Sequence, residues 1–165
     1  MDEKAPTSGT TVSFALIFDN PYTQNEEVWI GNLGNSWAIL GIDPDCQQLT
    51  TDARYRNEKG DLNVGNKQFL TSIHLREGWV DKDEQNIHRL AGILQPLRGI
   101  GHQDIKGFFS CPAIQRINLS PFKEPVVLVL ATDATMEVLG SQEIIPLLQN
   151  EEELADKLVK EAIKC

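Results

Sequence analysis

Asp133 is the residue of this sequence best placed to do chemistry. It stands two positions beyond Val126–Ala131, six apolar residues opened by Pro125 and free of charge. A run this short and this rich in valine predicts a strand buried on both faces. A carboxylate just past the end of such a strand is held firmly yet still meets solvent, which suits a metal ligand. The position suits equally an N-cap for a short helical turn through Met136 and Val138. Arg98 is a second candidate, because a guanidinium grips phosphate through paired N–H bonds; the same group serves as readily as a structural ion-pair partner. Cys46, Cys111 and Cys165 are odd in number, far apart and form no C-x-x-C. That pattern predicts reduced thiols in a cytoplasmic-type compartment rather than a disulfide framework or a zinc site. His74, His88 and His102 are equally scattered, with no pair at i,i+4 to suggest a histidine metal site.

The elements that would position these groups read mainly as strands. Val12–Phe18, Glu27–Gly31 and Trp37–Gly41 are apolar and rich in β-branched and aromatic residues. Asp19-Asn20-Pro21 marks a turn after the first. Asn32-Leu33-Gly34-Asn35-Ser36 carries hairpin chemistry between the second and third, with Asn35 as a turn residue. A strand meander and antiparallel sheet are therefore expected. The polar stretch 60–78 reads as a loop or flap, broken only by Phe69-Leu70. Beyond Pro112 the chain alternates through Ile114, Arg116 and Ile117, as a strand does. Ser141 can cap a short helix that Pro146 ends. Asn150-Glu151-Glu152-Glu153 opens another in which Leu154, Leu158 and Ala162, flanked by Ala155, Val159 and Ile163, form an apolar stripe fit for core packing.

At 165 residues, with 41% hydrophobic and 24% charged residues, one globular domain over 1–165 is expected. The formal net charge of −9 argues against a nucleic-acid surface and against an anionic membrane surface. The acidic start, Met1-Asp2-Glu3-Lys4, has neither signal-peptide nor transit-peptide character. A cytoplasmic location is expected, with mitochondrial or nuclear ones as alternatives.

Several segments, in order, resemble the metal-dependent protein Ser/Thr phosphatases of the PP2C (PPM) family. Ser8-Gly9-Thr10-Thr11 matches the family's S-G-T/S-T. Val28 to Leu40 is similar to its V-A-N-V-G-D-S-R-A-V-L segment. Leu49-Thr50-Thr51-Asp52 with Asn57-Glu58 resembles L-T-x-D-H…N-E, and Glu77-Gly78-Trp79-Val80 resembles G-G-F-V. Leu94, Arg98, Ile100 and Gly101 keep the frame of its L-x-x-S/T-R-x-I-G-D motif. Val129 to Glu143 resembles L-x-A-S/T-D-G-x-W-D-x-x-S-x-x-E. The departures are chemical: Asn35 stands where the family has Asp, Trp37 where it has Arg, His102 where it has Asp, Ala134 where it has Gly, and Met136-Glu137 where it has Trp-Asp.

The resemblance implies an α+β fold, an antiparallel β-sandwich flanked by helices, here incomplete at both ends: a single partial domain. It implies a family that uses two Mg²⁺ or Mn²⁺ ions to activate water and neutralise phosphate. It makes Asp133 the residual ligand position, Glu137 and Asn35 degenerate ones, and Arg98 a phosphate-binding candidate; no catalytic residue is assigned. The family's early D-G-H-G and final D-N carboxylates do not occur in these residues, so the ions are not expected on this chain alone. The expected function is a phosphatase-like domain that is catalytically silent and acts by binding. The alternative is an active Ser/Thr phosphatase, faintly similar to pyruvate dehydrogenase phosphatase through Pro96-Leu97-Arg98, completed by missing segments or a partner chain. A protein partner or self-association is expected, because strands of this apolarity need cover.

Overall fold

The computed structural model describes residues 8–42, 45–54, 67–123, 126–138 and 154–163. They fall into two compact units. One takes its described residues from Ser13–Gly31, Ser36–Thr50 and Ile114–Cys165, the other from Met1–Val12, Asn32–Asn35 and Thr51–Ala113.

The first unit is built on strands β2 (Val12–Asp19), β3 (Glu26–Leu33), β4 (Trp37–Ile42), β5 (Asp45–Gln48), β9 (Ala113–Asn118) and β10 (Val126–Ala131), with helices α2 (Asp133–Val138) and α3 (Leu154–Ile163). They make two three-stranded sheets, ordered β2-β3-β9 and β10-β4-β5. In the second sheet β4 lies centrally and antiparallel to both neighbours. Val126 to Ala131 pair with Ile42 to Trp37, and Ile39 to Ile42 pair with Gln48 to Asp45.

Alternation along β4 explains how the sheets stack, since successive strand side chains point to opposite faces. Ala38 and Leu40 face one way and are buried with Val28 and Ile30 of β3, Leu49, and the partly buried Ala15, Ile117 and Val126. Ile39 faces the other way, into a cluster with Val129, Met136, Trp37 and Cys46. Two sheets sharing one core, with a helix packed on the outer face of one, is the expected helix-flanked sandwich.

Two expectations change here. The segment Asn32–Ser36 does not close a hairpin: β3 and β4 belong to different sheets, so the chain crosses from one layer to the other. Gly34 makes the sharp change of direction, with φ +123°. Turn chemistry at this point told of a bend, but the partner of each strand is set by long-range pairing. The run buried on both faces is β4, not β10; only Val129 of β10 is fully buried, and Leu130 is exposed. Within the described sheet β10 is an edge strand, paired on one side only with β4.

The second unit holds β1 (Gly9–Thr10), α1 (Lys67–Leu75), β6 (Val80–Lys82), β7 (His88–Leu90) and β8 (Ile100–Gly101). β1 pairs with β8, and β6 with β7, both antiparallel. Its core is Ile73, Leu90, Leu97, Ile105 and Phe109. The stretch 60–78, expected to be a loop, therefore carries helix α1 over its later part. Leu70 and Ile73, three apart, share a helical face and reach this core. Gly78 and Gly107 meet backbone to backbone, leaving no room for a side chain at either.

The capped helix expected after Ser141 lies outside the described residues. α3 forms where the Asn150 start predicts it. Of its expected stripe, Ala155, Val159 and Ile163 face solvent; the side chains of Leu154, Leu158 and Ala162 lie outside the described residues.

Candidate functional site

Asp133 is the first residue of α2, directly beyond the Ala131–Trp37 pair that ends the β10 ladder. The cap is Thr132 rather than Asp133: its carbonyl accepts from the Met136 N–H at 3.3 Å, and its hydroxyl lies 3.3 Å from that of Thr135. Met136, buried among Ile39 and Val129, fixes the helix on the sheet. Asp133 is half-buried in the first turn, where the helix N-terminus favours a negative charge. Glu137 lies on the same helix, one turn on; its side chain lies outside the described residues.

Asn35 and Arg98 belong to the other unit. Asn35 is buried beside Gly34, where Asn32 Nδ2 donates to the carbonyls of Gly34 and Thr51 at 3.3 Å each. Arg98 is buried as well, and its Nη1 donates to the Cys111 carbonyl at 3.3 Å. Burial pushes its guanidinium below the ordinary value, and the nearby Cys111 acts the other way. Among the described residues no three His, Cys, Asp or Glu side chains come together as a metal site. The described donors therefore do not fit a divalent ion, which needs several oxygen ligands.

Three arrangements went unread in the sequence. The first is a buried ion pair: Asp52 Oδ2 takes Arg54 Nε at 2.7 Å and Nη2 at 2.6 Å, while Oδ1 takes the Arg54 N–H at 2.9 Å. The D-x-R spacing could have signalled it. The second is Glu27, wholly buried. Its Oε1 accepts from Asn20 Nδ2 at 2.8 Å, Thr23 Oγ1 at 3.0 Å and Arg116 Nη2 at 2.5 Å, and its Oε2 accepts from Trp29 Nε1 at 3.0 Å. Arg116 is the main cause that holds its carboxyl down to about 2, against the opposing effect of burial. The third is His102, which takes φ +46° and lines a cavity of about 100 Å³ with Gly9, Thr10, Thr11, Pro96 and Phe108. Its ring meets Phe108 edge-on at 5.3 Å.

Known proteins share parts of this sequence and fold. No family model matches the chain. Probable protein phosphatase 2C 17 of Arabidopsis thaliana is 24% identical over 162 residues, covering 96% of this chain and 52% of its own. Probable protein phosphatase 2C 43 of Oryza sativa subsp. japonica is 25% identical over 159 residues, covering 83% of this chain and 41% of its own. The crystal structure of the catalytic domain of the serine threonine protein phosphatase PstP, in complex with two manganese ions, superposes with a TM-score of 0.57 at 18% identity, over 94% of this chain and 53% of that one.

The chain is similar to the PP2C phosphatases.

This PP2C-like chain spans about half the length of the curated relatives it matches. Its sandwich, with strands in two sheets and α2 packed on one, is a partial PP2C-like α+β fold. No described helix is long and apolar enough to cross a membrane.

Proposed function

We propose that this PP2C-like chain, on its own, is a catalytically silent phosphatase-like domain that acts by binding a protein. The observation that carries the reading is the missing donor set: no described group of three His, Cys, Asp or Glu could hold a metal ion. The departures at Asn35, His102 and Glu137 agree with it. A neutral amide at Asn35 is a poor donor to a hard cation compared with the carboxylate of the family motif. One carboxylate at Asp133 cannot hold two Mg²⁺ or Mn²⁺ ions against water. Arg98 then serves as a buried strut between Leu97 and the Cys111 carbonyl rather than as a phosphate grip.

A second reading rests on Asp133, which keeps the ligand type of the motif at the start of α2. It makes the chain part of an active Mg²⁺- or Mn²⁺-dependent Ser/Thr phosphatase, with the remaining ligands supplied by further segments or a partner chain. Calorimetric titration with Mn²⁺ and turnover of p-nitrophenyl phosphate by this chain test the first reading, and the presence of D-G-H-G before it and G-S-x-D-N after it in the flanking coding sequence tests the second. The first reading expects neither metal-dependent heat nor turnover. Metal-dependent turnover that Asp133→Ala abolishes would overturn it.

A further inference from the structure

Pro121 is the one proline of eight that follows a hydroxyl residue, Ser120, and Lys123 stands two places beyond it. The tetrad Ser120-Pro121-Phe122-Lys123 follows β9 and lies outside every described strand and helix. Ser120, Pro121 and Lys123 are exposed, and Phe122 is half-buried against the core of its own unit. Local bonds hold the turn. The Phe122 N–H donates to the Leu119 carbonyl at 3.0 Å, and the Ser120 N–H to Asn118 Oδ1 at 3.0 Å. One bond reaches further: Ser120 Oγ accepts from the Glu26 N–H at 3.0 Å, beside the 2.8 Å bond from the Leu119 N–H to the Glu26 carbonyl. The hydroxyl thus clips the end of β9 to the start of β3.

We propose that Ser120 is the acceptor of a proline-directed protein kinase, and that its phosphorylation unfastens this end of β9 from β3. Proline has no N–H, so an apolar slot on a kinase can take it without leaving a buried donor unpaired, as any other residue would. A lysine three residues after the acceptor supplies a point charge for an acidic or phosphorylated contact. In the reaction Ser120 Oγ attacks the γ-phosphorus of ATP. The bond from that phosphorus to the β,γ-bridging oxygen breaks, ADP leaves, and the hydroxyl proton passes to the base of the kinase. The new group carries a charge of about −1.5 to −2 at neutral pH. It stands at the backbone of Glu26, next in the chain to the ionised Glu27, in a chain whose formal net charge is already −9. Arg116, the cation of β9, is already bonded to Glu27. A phosphate placed beside carboxylates disrupts by like-charge repulsion, and the clip opens.

Incubating the full chain with a cyclin-dependent kinase complex and Mg²⁺–ATP tests both parts. The intact mass should rise by about 80 Da, one phosphoryl group, and peptide mapping should place it on Ser120. Pro121→Ala and Lys123→Glu should each slow the initial rate about tenfold or more, since each removes one recognition contact. A synthetic peptide of residues 114–127 sets the rate of an unfolded acceptor. The folded chain should come within about tenfold of it, because only a local opening is needed. Hydrogen exchange in the phosphorylated chain should quicken about tenfold at the Glu26 and Leu119 amides and stay unchanged at the Leu90 amide of the other unit. No phosphate, phosphate on another residue, a rate indifferent to both variants, a folded chain more than about tenfold slower than the peptide, or an unchanged Glu26 amide would overturn the proposal.

Discussion

Glu27 is a carboxylate cut off from water and ringed by donors, and its ionised form belongs to the fold. Its folded value of about 2 lies below the ordinary 4.5. A depressed carboxyl adds stability that is full above its unfolded value and fades as pH falls through its folded one. The window here runs from about pH 4.5 down to about 2. Glu27→Gln should lower the urea midpoint at pH 7, because an amide N–H₂ would face the Trp29 N–H and the charge opposite Arg116 would be lost. The gap between the two chains should close as pH falls through that window; a gap constant with pH would show that the carboxylate charge adds nothing. Sequence alone could not find this site, because Arg116 lies far along the chain from Glu27. The start of α2 at Asp133 was legible because a carboxylate just after an apolar run is a local signal for a helix start. The exchange at two motif positions was half legible. Trp37 replaces the arginine and Met136 the tryptophan of the family pattern, and the structure puts both into one cluster.

At the scale of elements, strands were legible where β-branched and aromatic residues concentrate, and β2, β3, β4 and β10 begin within a residue of their expected starts. What periodicity cannot carry is the identity of a strand's neighbour. The segment after β3 therefore read as a hairpin, although it crosses between sheets. α1 was obscured because the sequence leading into it is rich in Gly and Asn, and only the packing of Leu70 and Ile73 reveals the helical face. The crossing depends on Gly34. At φ +123° a side chain is strained, and a Cβ would fall 2.3 Å from Thr11 Cγ2. Gly34→Ala should therefore cost about 3 kcal/mol or more in urea unfolding. Adding Thr11→Ser should recover the part due to the methyl clash but leave the contact with the residue-11 Cβ at 2.5 Å and the backbone strain. A loss below about 0.5 kcal/mol, the range of neutral surface changes, would show that the crossing does not need glycine.

Across the whole molecule the two units are interleaved in sequence, and the chain passes between them at 12–13, 31–32, 35–36, 50–51 and 113–114. Neither unit is a continuous segment, so neither can detach by the opening of a single linker. One cooperative transition is expected. Ile73→Ala and Leu40→Ala, each in a separate core, should lower that same transition, each by about 2–5 kcal/mol. Scanning calorimetry with matching calorimetric and van't Hoff enthalpies would support this. Two transitions, each shifted by only one variant, would show independent units. The interleaving also bears on synthesis. β4 acquires its partner β10 only after roughly 80 further residues have been made, a delay of about 4–16 s at ordinary elongation rates. During that time Ile39 and Leu40 have no β10 beside them, and the nascent sheet presents an open, sticky strand to the crowded exit of the ribosome. The yield of this chain in a cell should therefore respond to chaperone supply and translation speed more than its final stability would suggest.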